Sequence, residues 1–399
     1  MPDTTAPAYP MRRACPFEPA AALTRLQSTA PISRVTLWDG SSPWLLTRHE
    51  DIRTMLSDDR FSSDPERPGF PAPSAASRKR KEKAVGSFGR LDDPEHARYR
   101  KMLIGEFTAR RIEALRPQVA ETAGLLLDRM AAGPRPADLI DTFALPLPSM
   151  VISSLLGVPY TDHEFFEQCS HTIADLRAEP EHAVRADQEL SDYLRELVEA
   201  KITTPGNDLM SRLIDDHVRT GGLGPAELVS MSLELLVAGH ATTANMIGLG
   251  TLWLLRNPDR AAAFADAELV PGAVEELLRL LTVTHAGRRR VAVADVELGG
   301  VLIQAGEGVI AATDIANRDA AGFPDPEHFE PRRTPNHHLS FGFGVHQCLG
   351  QALARLELHV AYPALLRRFP SLALAVPPEE LGYRDGMGVY GVEELPVTW

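Results

Sequence analysis

Residues 341–350 read FGFGVHQCLG, so that Phe341, Gly344, Cys348 and Gly350 form the pattern Phe-x-x-Gly-x-x-x-Cys-x-Gly. A single cysteine in an intracellular chain is most often a small buried apolar residue without chemistry. Here glycines stand on both sides of Cys348, and they let backbone amides approach the sulfur because no Cβ is in the way. The pattern therefore indicates a cysteine that is held in its loop for its chemistry.

A stretch with helical periodicity follows the loop. Leu349, Leu353, Leu356 and Val360 recur at spacings of four, three and four residues, as on one face of an α-helix. Cys348 is thus expected at a helix N-terminus, where the helix dipole lowers the pKa of a thiol and favours the thiolate. A thiolate that accepts backbone hydrogen bonds is suited to be an axial ligand of haem iron.

The pattern resembles the haem-binding loop of the cytochrome P450 family, and the resemblance extends from the Tyr9-Pro10 region to Trp399. It is nearest to the actinobacterial members that act on polyketides, macrolides, other secondary metabolites and foreign compounds. The resemblance implies one domain over residues 1–399 with a mainly α, triangular fold and small β-sheets. Haem b (iron protoporphyrin IX) is expected between a long central helix and the cysteine loop.

Composition limits the possible functions. The 44% hydrophobic and 24% charged residues are those of an ordinary globular protein. A formal net charge of −13 argues against nucleic acid as a partner, because phosphate binding needs a basic surface. Three cysteines without disulfide spacing predict a reducing cytoplasm. The N-terminus has no signal segment, and polar residues interrupt the apolar stretch 228–255, so no membrane span is expected.

Short apolar segments predict peripheral strands around a helical middle. Residues 32–38 and 43–48 flank the turn Asp39-Gly40-Ser41-Ser42 and predict a β-hairpin. Helical periodicity dominates from about residue 90 to 282. Strands are expected again within residues 291–313 and 392–399.

One helix is predicted to cross the whole molecule. Gly224-Pro225 indicates its start and Asn257-Pro258 its end, which gives roughly 30 residues and about 45 Å. Within it, Thr242 and Thr243 follow Gly239 and can bond preceding carbonyls, which would open the helix locally and leave a groove for oxygen and water. The alternative is that both threonines are simply satisfied inside a buried helix.

In the family, an acid followed by a threonine in this helix delivers protons during oxygen activation. Thr242 matches the threonine and is the expected catalytic residue, but Ala241 stands at the acid position. A methyl group cannot relay protons, so other groups, ordered water or the substrate must supply them. His240 is not expected to take over, because adjacent residues point about 100° apart around a helix.

The resemblance implies Cys348 as the iron ligand and four further residues that bind the haem propionates. His96 and Arg100 lie one helical turn apart and match a His-x-x-x-Arg motif. Arg290 precedes the strand 291–300, and His346 stands two residues before the cysteine. The alternative is that these are ordinary surface residues, and Arg290 competes with its neighbours Arg288 and Arg289.

A structural triad is also implied. Glu276 and Arg279 are three residues apart and therefore neighbours on a helix. The resemblance joins them to Arg333 as a buried triad that supports the cysteine loop. As an exposed pair they would contribute only about 0–1 kcal/mol.

The basic run from Arg78 to Lys83 predicts a solvated, mobile loop. The alternative is that it borders the substrate entrance and favours an acidic substrate or carrier. The resemblance implies that this loop lines the distal pocket together with residues 165–190, 235–238, 283–286 and 387–389.

The sequence thus predicts a haem-thiolate monooxygenase that uses O2 and acts on a small apolar molecule. No Gly-x-Gly-x-x-Gly dinucleotide fingerprint is present, so electrons are expected from ferredoxin and ferredoxin reductase, with Arg355, Arg110 and Arg111 as docking candidates on a monomer. One alternative is an atypical oxidation (coupling, desaturation or peroxide-driven chemistry), because Ala241 replaces the acid. Another is a haem protein without catalysis.

Overall fold

The structure is a computed structural model that describes residues 6–80 and 87–399. The α-helices of this part are α1 (Ala21–Thr29), α2 (His49–Ser57), α3 (Ala75–Arg80), α4 (Glu95–Ile104), α5 (Ala109–Glu113), α6 (Arg116–Ala132), α7 (Pro146–Leu156), α8 (His163–Ala174), α9 (Pro180–Thr203), α10 (Leu209–Leu213), α11 (Pro225–Arg256), α12 (Pro258–Ala261), α13 (Val270–Leu281), α14 (Thr313–Ala316) and α15 (Gln351–Arg368). The strands are β1 (Ile32–Arg34), β2 (Trp44–Leu46), β3 (Phe61–Ser62), β4 (Ala137–Asp138), β5 (Arg288–Ala292), β6 (Val296–Leu298), β7 (Val301–Ile303), β8 (Gly308–Ala311), β9 (Ala373–Leu374) and β10 (Pro396–Thr398). The expected mainly helical fold with small sheets is confirmed.

The strands form small sheets at the edge of the helical core. The largest has the order β1-β2-β8-β5-β3, in which β2 and β8 are parallel and the other neighbours antiparallel. The predicted hairpin is confirmed, with Ile32 opposite Leu46 and Arg34 opposite Trp44. Strands β4, β10 and β9 form a second sheet, and β6 pairs with β7.

Helix α11 is the centre of the molecule and packs against α7, α9 and α15. It begins and ends at the predicted residues, with Pro225 at its first position, where a missing N–H costs nothing. The hydroxyl of Tyr362 on α15 donates to the Met246 carbonyl at 2.6 Å and ties the two helices together. The helix runs unbroken from Pro225 to Arg256, so the local opening expected around Thr242 is not observed.

The basic run differs from the prediction. Its first three residues belong to helix α3 rather than to a loop, and each cation has an acidic partner: Arg78 pairs with Asp39, Lys79 with Glu181, and Arg80 with Asp187. The Arg80 Nε lies 2.9 Å from an Asp187 oxygen. These pairs hold α3 against the β-hairpin and α9, so its cations do not form an unneutralised basic edge. The rest of the run, Lys81, Glu82 and Lys83, lies outside the described residues.

The long apolar helix is not a membrane helix. Across residues 6–80 and 87–399, none of the helices combines the length and apolar character needed to span a bilayer.

Candidate active site

A cavity of about 370 Å³ lies between α11 and the cysteine loop. Its walls come from α4, α11, the end of α13 with β5, and residues 340–358. All of the site residues predicted from the sequence line this cavity: His96, Arg100, Thr242, Arg290, His346 and Cys348. The fold therefore brings together residues that are up to 252 positions apart in the chain (Cys348 and His96).

The cysteine loop has a backbone that only glycine adopts readily. Gly342 and Gly344 have φ values of 75° and 73°, in the left-handed region where a Cβ is unfavourable. A Cβ on Gly344 would also lie 2.3 Å from the Leu56 carbonyl oxygen. The Cys348 N–H donates to the Phe341 carbonyl at 2.8 Å, closing the loop on itself. The loop geometry therefore explains why glycine stands at position 344 of the motif.

The expected lowering of the Cys348 pKa is not found. Burial raises the pKa of this thiol above its usual value, and this effect outweighs the opposing influence of Arg288, the Gly350 N–H and Arg100. The position at a helix N-terminus is visible in the sequence, whereas the loss of solvation in the cavity is not. A positively charged iron bound to the sulfur would supply the compensating charge that the protein alone does not provide.

Three arginines surround one end of the cavity. Arg100 donates to the Gln347 carbonyl at 2.7 Å, Arg288 to the Ser340 carbonyl at 3.0 Å, and Arg290 to the Arg289 carbonyl at 2.8 Å. Burial lowers the pKa of all three guanidinium groups, that of Arg290 to about 10. Within the described residues none of the three has a carboxylate ion-pair partner, so backbone carbonyls orient these cations without neutralising them.

Two histidines lie beside these arginines. His96 Nδ1 is 2.9 Å from an Asp93 oxygen, whereas its buried Nε2 has no hydrogen-bond partner in the described structure. His346 Nδ1 is also buried and without a partner there. Burial, together with the nearby Arg290 charge, lowers the pKa of His346 to about 3. Such unsatisfied buried nitrogens are uncommon and call for a ligand or water.

The polar atoms at this end of the cavity suit the two propionates of haem b. Carboxylates would satisfy the imidazole nitrogens and neutralise the buried guanidinium groups through charge-assisted hydrogen bonds. The Cys348 sulfur lies on the same cavity, where it can meet the iron of a bound porphyrin. The residues present therefore fit this cofactor.

Thr242 and Ala241, which stands at the acid position, differ in their surroundings. Thr242 lines the cavity, and its hydroxyl donates to the Ala238 carbonyl at 3.0 Å. Ala241 does not belong to the described cavity lining, and its carbonyl accepts from the Asn245 side chain at 2.7 Å. His240 is buried away from the cavity, where its Nδ1 meets the Leu236 carbonyl. Burial lowers its pKa to about 4, so the expectation that it does not replace the acid is supported.

Sequence reasoning missed three charged residues on this cavity: Arg288, Glu234 and Glu357. Arg288 was detectable, because it lies two positions before Arg290 and a strand places such residues on one face. Glu234 lies eight residues before Thr242 on the same helix. Glu357 lies on α15. Burial raises its pKa to about 8, although its hydrogen bond with the Thr243 side chain has the opposite, smaller effect.

The predicted lining of the distal pocket is correct only in part. Leu235, Ala238, Val283 and Thr284 line the cavity, but no described residue of 165–190 or 387–389 does. Those two segments contact each other instead, through the bonds Leu176 N–H to Gly386 carbonyl and Gly388 N–H to Ala174 carbonyl, both 2.9 Å. The backbones of these two stretches thus pair with each other outside the cavity lining.

The structural triad is buried, and the exposed alternative is wrong. Arg279 donates to both Glu276 oxygens at 2.7 and 2.9 Å, and Arg333 donates to one of them at 3.1 Å. Asn336 and the Glu330 N–H complete the carboxylate's partners at 3.0 and 2.9 Å. Every polar atom of the Glu276 carboxylate is thereby bonded, so the triad fixes residues 324–336 ahead of the cysteine loop.

Arg355, a docking candidate from the sequence, is engaged inside the protein. It donates to both Glu275 oxygens at 2.7 and 2.9 Å and lies over the Phe341 ring at 4.4 Å. The His338 Nε2–H donates to the same carboxylate at 3.0 Å, and the pKa of Glu275 falls to about 2 because these bonds outweigh its burial. Arg355 therefore supports the cysteine loop, and its role in docking stays a prediction, since its side chain remains 28% exposed.

Comparisons with known proteins agree with this geometry. The family model described as Cytochrome P450 matches residues 260–379. Cytochrome P450-SU2 of Streptomyces griseolus is 50% identical over 389 residues, which are 96% of this chain and 94% of that protein. Pentalenic acid synthase of Streptomyces avermitilis is 48% identical, with 98% and 97% covered. The structure of the mycinamicin VIII C21 methyl hydroxylase from Micromonospora griseorubida superposes with a TM-score of 0.93 at 38% identity, covering 98% of this chain and 100% of that one.

Proposed function

Because the chain belongs to the cytochrome P450 family of monooxygenases, which bind haem b, we propose that it inserts one oxygen atom of O2 into a small apolar secondary metabolite or foreign compound. The observation that carries the proposal is the position of Cys348, whose buried sulfur shares a cavity with Thr242 and three unneutralised arginines. When bound, haem b activates O2, so that one oxygen atom leaves as water and the other enters the substrate.

In this proposal the residues around the cavity divide the work of binding the cofactor. Cys348 would hold the haem iron through its sulfur, and the Gly350 N–H and Arg288 would stabilise the negative charge of the thiolate. His96, Arg100, Arg290 and His346 would bind the propionates, and Arg288 would add a further cation to the set. The backbone carbonyls that accept from the arginines pre-orient them for carboxylates.

Thr242 is proposed to hold water and pass protons on the substrate side. Its hydroxyl proton points to the Ala238 carbonyl, which leaves the oxygen lone pairs free to accept from water in the cavity. Rotation of the hydroxyl then releases its proton toward the cavity. Because Ala241 has no proton to give, ordered water or a substrate hydroxyl must return a proton to the Thr242 hydroxyl.

Ala241 favours a second candidate function with the same cofactor. Without a carboxyl at this position, protons reach the cavity more slowly. Peroxide-driven oxidation needs no such supply, because peroxide already carries the two electrons and two protons that O2 requires, whereas coupling and desaturation differ only in how the oxidised substrate reacts further. The products distinguish the two candidates, since only hydroxylation adds an oxygen atom from O2. The non-catalytic alternative is not supported, because pentalenic acid synthase and the mycinamicin hydroxylase are enzymes by name.

The names of these relatives support a secondary metabolite as the substrate. One is a synthase of pentalenic acid, and the other is a hydroxylase with mycinamicin VIII bound in its structure. The cavity wall of this chain beside Thr242 is mainly apolar, with Leu235, Ala238, Val283 and Phe88, which suits a molecule with a large apolar surface.

Electrons are proposed to arrive from ferredoxin and ferredoxin reductase in the cytoplasm, and the chain is proposed to act as a monomer. Val345 lies three residues before Cys348 and is 54% exposed, which gives an apolar contact point near the sulfur. Arg110 and Arg111 are exposed on α5, which packs against α15, although Arg111 also pairs with Glu106. Exposed cations on α5 and an exposed apolar side chain in the cysteine loop suit an acidic electron carrier.

The test is turnover by the haem-loaded protein with surrogate ferredoxin, ferredoxin reductase and NADPH. A compound library is first screened for ligands that shift the Soret band, and the hits are incubated under isotopically heavy O2. Products that gain one heavy oxygen atom establish monooxygenation. Products that change without gaining oxygen would favour the second candidate.

A further inference from the structure

Glu234 places an acidic group on the substrate side of the cavity. It lies on α11 with Ala238 and Thr242 at intervals of four residues, and all three line the cavity. Eight residues of helix separate Glu234 from Thr242, which corresponds to about 12 Å along the axis. Glu234 is half-buried and is one of the residues that line the cavity. A substrate that reacts beside Thr242 can therefore reach this carboxylate with its far end.

The segment before α4 holds the carboxylate in place from one side. The Ser87 hydroxyl donates to one oxygen at 2.9 Å, and the Gly89 N–H donates to the other at 3.1 Å. A carboxylate offers about four acceptor directions, so these bonds leave acceptor capacity toward the cavity. The neighbouring lining residues are apolar, among them Phe88 and Leu235. The protein therefore orients Glu234 without using all of its binding capacity.

Charges are distributed unevenly along the cavity. Arg100, Arg288 and Arg290 lie at the end that suits the propionates, which would neutralise them. Glu234 lies on the substrate side, where the charge of Arg90 acts on it although the two form no ion pair among the described residues. Burial of a carboxylate beside apolar groups is costly, and a bound cation reduces that cost. A positively charged substrate group is thus drawn to Glu234 and away from the arginines.

We propose that Glu234 determines substrate specificity by binding an ammonium group of the substrate, about 12 Å from the position that reacts beside Thr242. This inference rests on the proposed function and adds the substrate class: an elongated apolar molecule with a basic amine at one end. The carboxylate contacts the substrate's cation and takes no part in oxygen chemistry.

The probes are two ligands with the same shape and different charge. One is a chain of about ten carbons ending in trimethylammonium, roughly matched to the ~12 Å span. The other carries a neutral tert-butyl group in place of trimethylammonium. A quaternary nitrogen has no lone pair, so it cannot ligate iron and confuse the measurement. Dissociation constants are measured for the holoenzyme by calorimetry and by the Soret shift.

Three variants separate recognition from anchoring. Glu234→Gln keeps the size of the side chain and an oxygen that can accept from Gly89, but it loses the charge. Gly89→Ala keeps the charge but displaces it, because a Cβ on Gly89 would lie 2.2 Å from a Glu234 oxygen. Ser87→Ala removes one anchoring bond and leaves the charge in place, so it is the matched control.

The parent enzyme is expected to bind the cationic probe at least about tenfold more tightly than the neutral one. Glu234→Gln and Gly89→Ala should abolish this preference, and Ser87→Ala should keep it. Equal affinity of the parent for both probes, or a preference that persists in Glu234→Gln, would overturn the inference. The thiolate-type spectrum of the carbon-monoxide complex is recorded for each protein, and its absence from the parent would instead show that the proposed function is wrong.

Discussion

The imidazole rings of His96 and His346 lie with their centroids 4.1 Å apart and their planes tilted by 39°. One belongs to α4 and the other to the cysteine loop, and each has a buried ring nitrogen without a partner in the described structure. Two such nitrogens at the same end of a cavity, beside three arginines, indicate a built site for an anionic ligand.

Arg290→Ala should weaken haem retention by about tenfold to hundredfold, because a charge-assisted bond to a buried carboxylate is lost. The matched control is Arg289→Ala on the same strand, since Arg289 donates to the Pro71 and Ala286 carbonyls and is not on the cavity. Haem transfer to excess apomyoglobin measures the loss rate. Equal rates for the two variants would remove Arg290 from the propionate site.

Glu276→Ala should destabilise the protein by about 3–5 kcal/mol, because it leaves the buried cation of Arg279 without its partner. Glu268→Ala, an exposed glutamate just before α13, should change stability by no more than about 0.5 kcal/mol. Urea unfolding of both variants provides the comparison. A Glu276→Ala protein as stable as the control, with full haem content, would show that the triad does not support the fold.

Glu357→Gln should gain stability over the parent as pH rises. The pKa of Glu357 is raised from 4.5 to about 8 by burial, so the native state retains a proton that the unfolded chain has lost. The stability of the parent therefore falls by about 1.4 kcal/mol per pH unit from this group between those values, and the neutral glutamine has no such loss. Unfolding free energies measured at several pH values would contradict this if the difference between the two proteins stayed constant or shrank.

Ala241→Glu should lower the product formed on the native substrate rather than improve it. We expect the substrate or ordered water to bring the proton, so that a supplied carboxyl is redundant and its larger side chain clashes in the pocket. General acid assistance adds about 10²–10⁴-fold only where proton transfer limits the rate. Product formed per NADPH is compared for Ala241→Glu, Thr242→Ala and the parent. A clear gain from the glutamate would show that an ordinary relay is merely weakened here.

Local patterns in the sequence predicted the parts of the site that depend on nearby residues. The bounds of α11 follow from Gly224-Pro225 and Asn257-Pro258, and the hairpin follows from its turn residues. The glycines of the cysteine loop and the one-turn spacing of His96 and Arg100 were also predictable, because each depends on residues only a few positions apart. The assignment of residues 1–399 to a single domain stays a prediction.

Features that depend on distant partners were not predictable in this way. Helix α3 is short and is held by ion pairs with Asp39, Glu181 and Asp187. The local sequence of α3 does not indicate these partners. Arg355 is engaged because Glu275, 80 positions away, folds beside it. Glu234 meets Ser87 across 147 positions. Burial likewise reversed the expected pKa of Cys348, since sequence shows the helix dipole but not the loss of water.

The most direct test of the central claim, that Cys348 is the thiolate ligand of haem iron, is the spectrum of the reduced carbon-monoxide complex for the parent and Cys348→Ser. Cys169→Ser, at a buried cysteine that is not on the cavity, is the matched control. The parent and the control should show the thiolate-type Soret band, and Cys348→Ser should lose it, because a serine oxygen is a poorer donor than sulfur. A thiolate-type band that persists in haem-loaded Cys348→Ser would contradict the claim.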